Sequence, residues 1–512
     1  MKTNKHELNY GRKRIILDYE EVTPENFREV FMAAFKYFGS NKKDCEILID
    51  IYLGKQDILN RPAPNTSNIN NTTVVNYAFP ITREIVGYTF GNPFELVQKN
   101  EDKQADVQTL SDICEYEGAY EIDISTATFA SICGFGYQLT LPSSDLSHDN
   151  TPEIPVVITE LDPRHTFVVQ STRPGNPQIM SCMEIIDTTG TKVKYIAFTD
   201  KYKFTINLPK SSFADSDNKV VVDKDTQVIV ENNPIGLDPI TMFPNSLLLT
   251  GDWEQAIPVM DALNQVVSDG LNDIEGAIRS LLVLIGTELD EDGTTLKAIK
   301  DKRLLALANA NGQNGTLDAK FIAPKLDSVE VQEIREFLND ARNIITGIPD
   351  RQAAVSGDTG AAVINRNGWT DIEIVAKLKE LYFKNAKKKQ IAVVIKILQK
   401  ADKIAKDLQV IDINITLGRN TLDNLSVKAS AFASLVATGE LATIDALEFS
   451  GLTNRTKEVV DRGEAARQKR IKENISLGLD PLAVSGSGGK YNYNYSYGGK
   501  NDNDNLNNDN KE

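Results

Sequence analysis

Between Trp253 and Leu281 the apolar residues Trp253, Ile257, Met260, Leu263, Val267, Leu271, Ile274, Ile278 and Leu281 return every three or four positions. That is the spacing of one face of an α-helix. The pattern predicts a helix of ~30 residues, ~45 Å long at 1.5 Å rise per residue. Pro258 falls in or near its first turn, or kinks it. The other faces carry Asp252, Glu254, Asp261, Asp269, Asp273 and Glu275, so the helix is amphipathic with an acidic flank, ordinarily a solvated face.

The same period returns further on. Asp327, with Glu330 three residues later, is an N-cap signal, and Val331, Ile334, Leu338, Ala341 and Ile345 mark one face before Gly347 stops the helix. A loop from Ile348 to Gly357 follows, then a long helical stretch from about 358 to 405 that includes Lys387-Lys388-Lys389. Ile411 to Ile415 reads as a strand, and residues 421 to 475 read as three helices separated by Gly439 and Gly451.

The first half mixes the two periods. Residues 23 to 60 read as two helices, opened by Thr23-Pro24 and broken at Gly39-Ser40-Asn41. An Asn/Thr-rich loop (65 to 73) precedes a short helix ending at Gly91-Asn92-Pro93, which forces an extended exit into Phe94 to Val97. Residues 105 to 133 are helical. From 135 to 245, runs such as Tyr137–Leu141, Val156–Ile158, Phe167–Val169, Val193–Phe198 and Val228–Val230 read as strands between Pro, Gly, Asp and Asn turns. The fold class is therefore α+β.

Charge narrows the function. The chain of 512 residues, 41% hydrophobic, is long enough for two to four compact units. Its net charge of −16 argues against DNA wrapping, which needs a basic face to neutralise phosphates. The four cysteines, Cys45, Cys114, Cys133 and Cys182, have no paired or metal-ligand spacing and are expected to be free thiols. The first residues hold no apolar core of a secretory signal, and no apolar run approaches the ~20 residues of a membrane span. The Gly/Ser and Tyr/Asn-rich stretch from about Ser485 lacks the apolar surface to order itself.

Chemistry is sparse. There is no phosphate-binding GxxxxGK[ST] loop, no HExxH and no GxSxG; Asn309 to Gly315 is glycine-bearing but reads as a turn. The only histidines are His6, His148 and His165, too scattered for a metal site. With 72 acidic residues, carboxylate pairs arise by chance. No catalytic residue, metal or cofactor is expected.

Five stretches, in order, carry a resemblance: Asn76, Ile85-Val86, Tyr88 and Gly91-Asn92-Pro93; Gly134-Phe135-Gly136-Tyr137 with Asp162-Pro163-Arg164; Pro234 to Ile240 with Phe243-Pro244-Asn245; the helix bearing Asp252, Glu254, Asp261, Asn264, Ser268-Asp269 and Asn272; and Pro349-Asp350 with Ser356-Gly357. Over residues ~70 to ~475 the chain resembles the Gp6-like (SPP1-type) portal proteins of tailed phages. It departs from them at Asp358-Thr359-Gly360, which precedes Ala361-Ala362-Val363 where the family has an alanine–leucine pair.

The resemblance implies a portal fold: a β-rich wing, stem helices lining a channel, an α/β clip, a helical crown and a ring oligomer. Residues 1–251 would form the N-terminal part of the wing, 252–285 the first stem helix, 286–326 the clip and 327–347 the second stem helix. Residues 348–358 would be the tunnel loop, 359–419 the long wing helix and return strand, 420–478 the crown and 479–512 a disordered tail. The tunnel loop would bring Ile348, Pro349, Asp350, Arg351, Gln352, Ser356 and Gly357 to the DNA, Arg351 either touching the channel or pairing with a neighbouring subunit. Asp261, Asp269, Asp273 and Glu275 would form an acidic stem face that repels phosphate. Lys297, Lys300, Lys302 and Arg303 would serve partner docking in the clip. The implied partners are eleven further copies in a dodecameric ring, the terminase large subunit, a head-completion (adaptor) protein, the major capsid and scaffolding proteins, and double-stranded DNA in transit. No membrane is implied. The place is a capsid vertex of the virion, reached from the host cytoplasm. The competing readings are another phage connector or scaffold-like subunit, a metal-dependent nuclease, and a surface binding module.

Overall fold

Four phenylalanines spaced along one helix organise the first layer of the protein. In the computed structural model, α1 (Phe27–Tyr52) lays Phe27, Phe31, Phe35 and Phe38 on a six-stranded sheet, where Phe27 stacks on Phe204 at 4.1 Å and Phe31 meets Tyr195 edge-on at 5.3 Å. The structure describes residues 8–63, 69–99, 101–143, 155–186, 192–209, 226–278, 281–285, 304–307, 318–322, 328–349, 369–418, 425–439, 441–450, 452 and 456–476. They fall into two units, Met1–Asp423 and Asn424–Glu512.

The sheet is formed by β1 (Ile15–Leu17), β5 (Thr166–Ser171), β6 (Gln178–Ile186), β7 (Lys192–Phe198), β8 (Tyr202–Pro209) and β9 (Val228–Asn232), in that order; β1 runs parallel to β5 and the other pairs are antiparallel. Alternation along β7 sends Val193, Tyr195 and Ala197 into the α1 core and Ile196 and Phe198 into a second one. That second core lies over the antiparallel sheet β10 (Ile240–Pro244), β3 (Phe135–Pro142) and β4 (Val156–Leu161). Helices α2 (Ala78–Phe90), α3 (Gln104–Tyr116) and α4 (Ala119–Cys133) contribute to it. β2 (Phe94–Gln98) pairs antiparallel with β14 (Ile413–Leu417), joining segments over three hundred positions apart.

The predicted long helix is present as α5 (Ile257–Ile278), with Pro258 in its first turn, where a missing N–H costs nothing. It stops short of the expected Leu281. Leu281–Ile285 is instead β11, between β12 (Leu304–Leu307, parallel) and β13 (Asp318–Ile322, antiparallel). A second helix, α6 (Ser328–Thr346), packs on α5. The long helix is α7 (Trp369–Lys400). Two further expectations are corrected. Residues 23–60 do not hold two helices: α1 runs unbroken through Gly39-Ser40-Asn41, because buried Asn41 donates to the Lys13 carbonyl (2.8 Å) and accepts from its N–H (3.0 Å). The late strand begins at Ile413, after a 3₁₀ turn at Val410–Asp412. The four cysteines are free and buried.

The second unit contains α8 (Leu425–Ala437), α9 (Thr443–Ser450) and α10 (Thr456–Ser476).

Candidate functional site

The candidate site is built on α5, the helix that the sequence singled out most clearly. One stripe of it carries polar side chains that hold an extended strap, residues 71–75. The Asn71 N–H donates to Asn272 Oδ1 (2.6 Å), the Thr73 N–H to Ser268 Oγ (3.0 Å) and the Val75 N–H to Asn264 Oδ1 (2.8 Å). Alternate residues of an extended chain advance ~6.7 Å, and every fourth residue of a helix ~6 Å, so the two ladders stay in register. Asn264 also donates to Gln56, and Asn71 Nδ2 to Glu275 Oε2 (2.8 Å). Asn264, Ser268 and Asn272, three residues of the resemblance, thus serve strap anchoring.

α5 also packs on α6, whose Arg342 guanidinium lies 3.9 Å from the centroid of the Tyr77 ring and donates to Asn339 Oδ1 (2.9 Å). The acidic positions divide. Asp269 forms an ion pair with Arg61 at 2.6 Å, and Glu275 accepts from the strap. Asp261 and Asp273 are exposed.

Asp252 and Glu254, expected on the solvated flank, are buried and paired ahead of α5, so they are corrected here from flank to anchor. Glu254 forms an ion pair with Arg12, both side chains 0% exposed, and accepts the N–H groups of Gly11 (2.7 Å) and Gly251 (2.8 Å). Asp252 pairs with Lys379 of α7 and accepts from Ser131 Oγ (2.6 Å) and Asn245 Nδ2 (2.8 Å). Burial holds the Lys379 ammonium below its ordinary pKa despite the attraction of Asp252. A third buried pair joins Lys387 to both carboxylate oxygens of Asp123, 2.8 Å each. The lysine run therefore splits into one core residue and two exposed ones, Lys388 and Lys389. Arg12, Arg61, Lys379 and Lys387 were missed in the sequence because each lies far along the chain from its acid.

Glycines let the backbone close around these anchors. Gly134 has φ +88°, and a Cβ there would sit 2.0 Å from the Leu249 carbonyl oxygen; at Gly136 it would sit 2.4 Å from that of Thr126. The Gly134-Phe135-Gly136 motif is thus a close-packing requirement. Asp162 receives the Arg164 backbone N–H (2.8 Å) and its guanidinium (2.6 Å), and these bonds outweigh burial and keep its carboxyl below the usual range.

Of the expected tunnel loop, Ile348 and Pro349 follow α6 directly, while Asp350, Arg351, Gln352, Ser356 and Gly357 lie outside the described residues, as do Lys297, Lys300, Lys302 and Arg303. What the described part of α5 and α6 does present is uncovered apolar surface: Leu271 (39%), Ile274 (50%), Ile334 (51%), Phe337 (70%) and Ile344 (80%). α7 adds Ile374, Leu378 and Leu381, one exposed stripe at helical spacing. Among the described residues no group of three or more His, Cys, Asp or Glu is arranged to hold a metal ion. No described helix is long and apolar enough to cross a membrane.

No curated protein matches the chain. A family model does: that of the phage portal protein, SPP1 Gp6-like, matches residues 39–473. This span runs from the middle of α1 into the last turns of α10, so it takes in the strap, the α5 ladder, the buried anchors apart from Arg12 and the three-helix unit, and the chain belongs to the Gp6-like phage portal family.

Proposed function

We propose that copies of this chain close into a ring, dodecameric as the family resemblance implies, at one vertex of a phage capsid, and that DNA enters and leaves through it. In this reading α5 and α6 are the stem around the channel, and the segment with β11, β12 and β13 is the clip that docks the terminase large subunit and later an adaptor protein. Residues 348–358 form the tunnel loop, the β-rich half and α7 the wing, and α8–α10 the crown. The protein is a structural component of the virion and performs no chemistry of its own.

The observation that carries this reading is the uncovered apolar surface on helices that are otherwise firmly anchored. A monomer rarely leaves several large apolar side chains of one helix more than half exposed, as Ile334, Phe337 and Ile344 of α6 are. Phe337 and Ile344 are the most exposed of them, and a neighbouring copy supplies the missing cover.

Electron microscopy of the purified chain with native mass determination tests this. Closed rings with a central hole are expected, and Phe337→Asp with Ile344→Asp should abolish them while leaving the circular dichroism unchanged. A chain that stays monomeric at all concentrations, with or without a scaffolding protein, would overturn the ring.

A further inference from the structure

We infer that each copy of this chain grips the next by laying the outward stripe of α7 on its neighbour's α3–α4 corner, basic side chains against acidic ones. The stripe is single-sided. At 100° per residue, Ile374, Leu378, Leu381, Lys388, Lys389 and Lys396 share an arc of ~100° of α7, and all six are exposed. From Leu378 to Lys396 this arc holds no acid. The acids on its flank, Glu373 and Glu380, already pair with Lys377 (3.6 Å) and Lys384 (2.9 Å). Lys388, Lys389 and Lys396 form no ion pair with a described residue. The stripe is thus apolar at its start and basic beyond it.

The corner is its complement. From Gln104 to Ser125 the chain has no lysine or arginine. Glu115, Tyr116, Tyr120 and Glu121 are exposed where α3 turns into α4, Tyr116 by 70%. Neither Glu115 nor Glu121 forms an ion pair with a described residue. The Lys387–Asp123 pair marks the line joining α7 to α4. The stripe lies ~100–180° round α7 from Lys387, and Glu121 ~160° round α4 from Asp123. The two surfaces therefore face away from each other across the helix pair. A copy with complementary patches on opposite sides makes head-to-tail contacts, which close into a ring. The stripe also continues the uncovered surface of α6: a Cβ on Gly347 would sit 3.1 Å from Val375 Cγ2, and Ile344 and Ile374 are exposed on either side of that junction. Taking a second copy as the occupant rests on the ring reading above.

The test uses charge reversal in the full-length chain, with rings counted by electron microscopy and native mass. Lys388→Glu/Lys389→Glu and Glu115→Lys/Glu121→Lys should each cut the ring fraction at least ~10-fold, because like charges then meet at every contact. Circular dichroism should not change. Mixing the two variants in equal amounts should restore rings containing equal numbers of each. In an alternating ring the reversed stripe meets the reversed corner, and the native stripe meets the native corner. Rings in both variants alone, or a mixture that stays open, would overturn the contact and leave the ring reading standing. A parent that forms no rings would overturn both. Duplex DNA binding that Lys388→Glu/Lys389→Glu abolishes while its rings persist would assign the stripe to nucleic acid and overturn the contact.

Discussion

Removing Glu254 should damage the protein more than removing the arginine it binds, although both side chains are 0% exposed. In Glu254→Ala the Arg12 charge stays buried with one remaining hydrogen bond, from Nη2 to the Asn9 carbonyl (2.7 Å), since Nε and Nη1 have no partner. Leaving such a charge unpaired costs about 3–5 kcal/mol. The N–H groups of Gly11 and Gly251 lose their acceptor as well, at about 1 kcal/mol or more each. The sum is roughly 5–7 kcal/mol, comparable to the whole stability of many domains. In Arg12→Ala the carboxylate keeps both amide donors, so the cost should stay near the lower bound, about 3 kcal/mol. Arg12→Met with Glu254→Leu removes both charges and should cost less than Glu254→Ala alone, because no ion is stranded. Urea unfolding followed by tryptophan fluorescence is the assay: Trp253 is buried beside Glu254, and both tryptophans belong to the first unit, so the signal follows that unit. Single-variant losses both under ~1 kcal/mol, or a larger loss for Arg12→Ala, would refute an anchor built on desolvated charge.

Two further outcomes follow from the geometry. Asn264→Ala or Asn272→Ala should cost about 1–2 kcal/mol and speed hydrogen exchange at the Val75 or Asn71 amide; unchanged protection would mean the ladder does not hold the strap. Asp238, bonded to Ser181 Oγ and the Ile240 N–H (3.1 Å), has its pKa pushed up to about 7 by burial. A raised carboxyl favours folding while protonated. Its contribution is full below the unfolded value near 4, falls as pH rises to about 7, and is then constant. At 1.36 kcal/mol per pH unit this amounts to at most about 4 kcal/mol. Asp238→Asn should flatten stability between pH 4 and 7 and raise it at pH 8; an unaltered pH profile would contradict this.

Much of the fold was legible because apolar and β-branched runs between turn residues gave β3, β5 and β7, although these strands are buried on both faces, and the three-to-four spacing gave α5 and α6. The exceptions have physical reasons. Leu281–Ile285 is a continuous apolar run that extends the helical spacing as readily as it forms a strand, and only pairing with β12 and β13 decides it. Gly39-Ser40-Asn41 reads as a break by propensity, but burial against Lys13 overrides it. The anchors were half visible. Asp252 and Glu254 stood out, while Lys379 and Arg12 lie 127 and 242 positions away, and no local pattern links them. The acidic stem positions could be named from the sequence, but not the division of labour among them.

That division bears on how a channel wall would work. α5 is fixed at its start by the Arg12–Glu254 and Lys379–Asp252 pairs, along one stripe by the strap, and along another by α6. Of its acids, Asp261 and Asp273 remain exposed, and they subtend an arc of ~120° of the helix circumference at 100° per residue. In a ring this arc recurs once per subunit, whichever way it faces. Were it to face the channel, its repulsion would reach only about a Debye length, ~8 Å. It would act on phosphates close to the wall and leave those on the axis nearly free. Such a wall would keep DNA from adhering without opposing its movement.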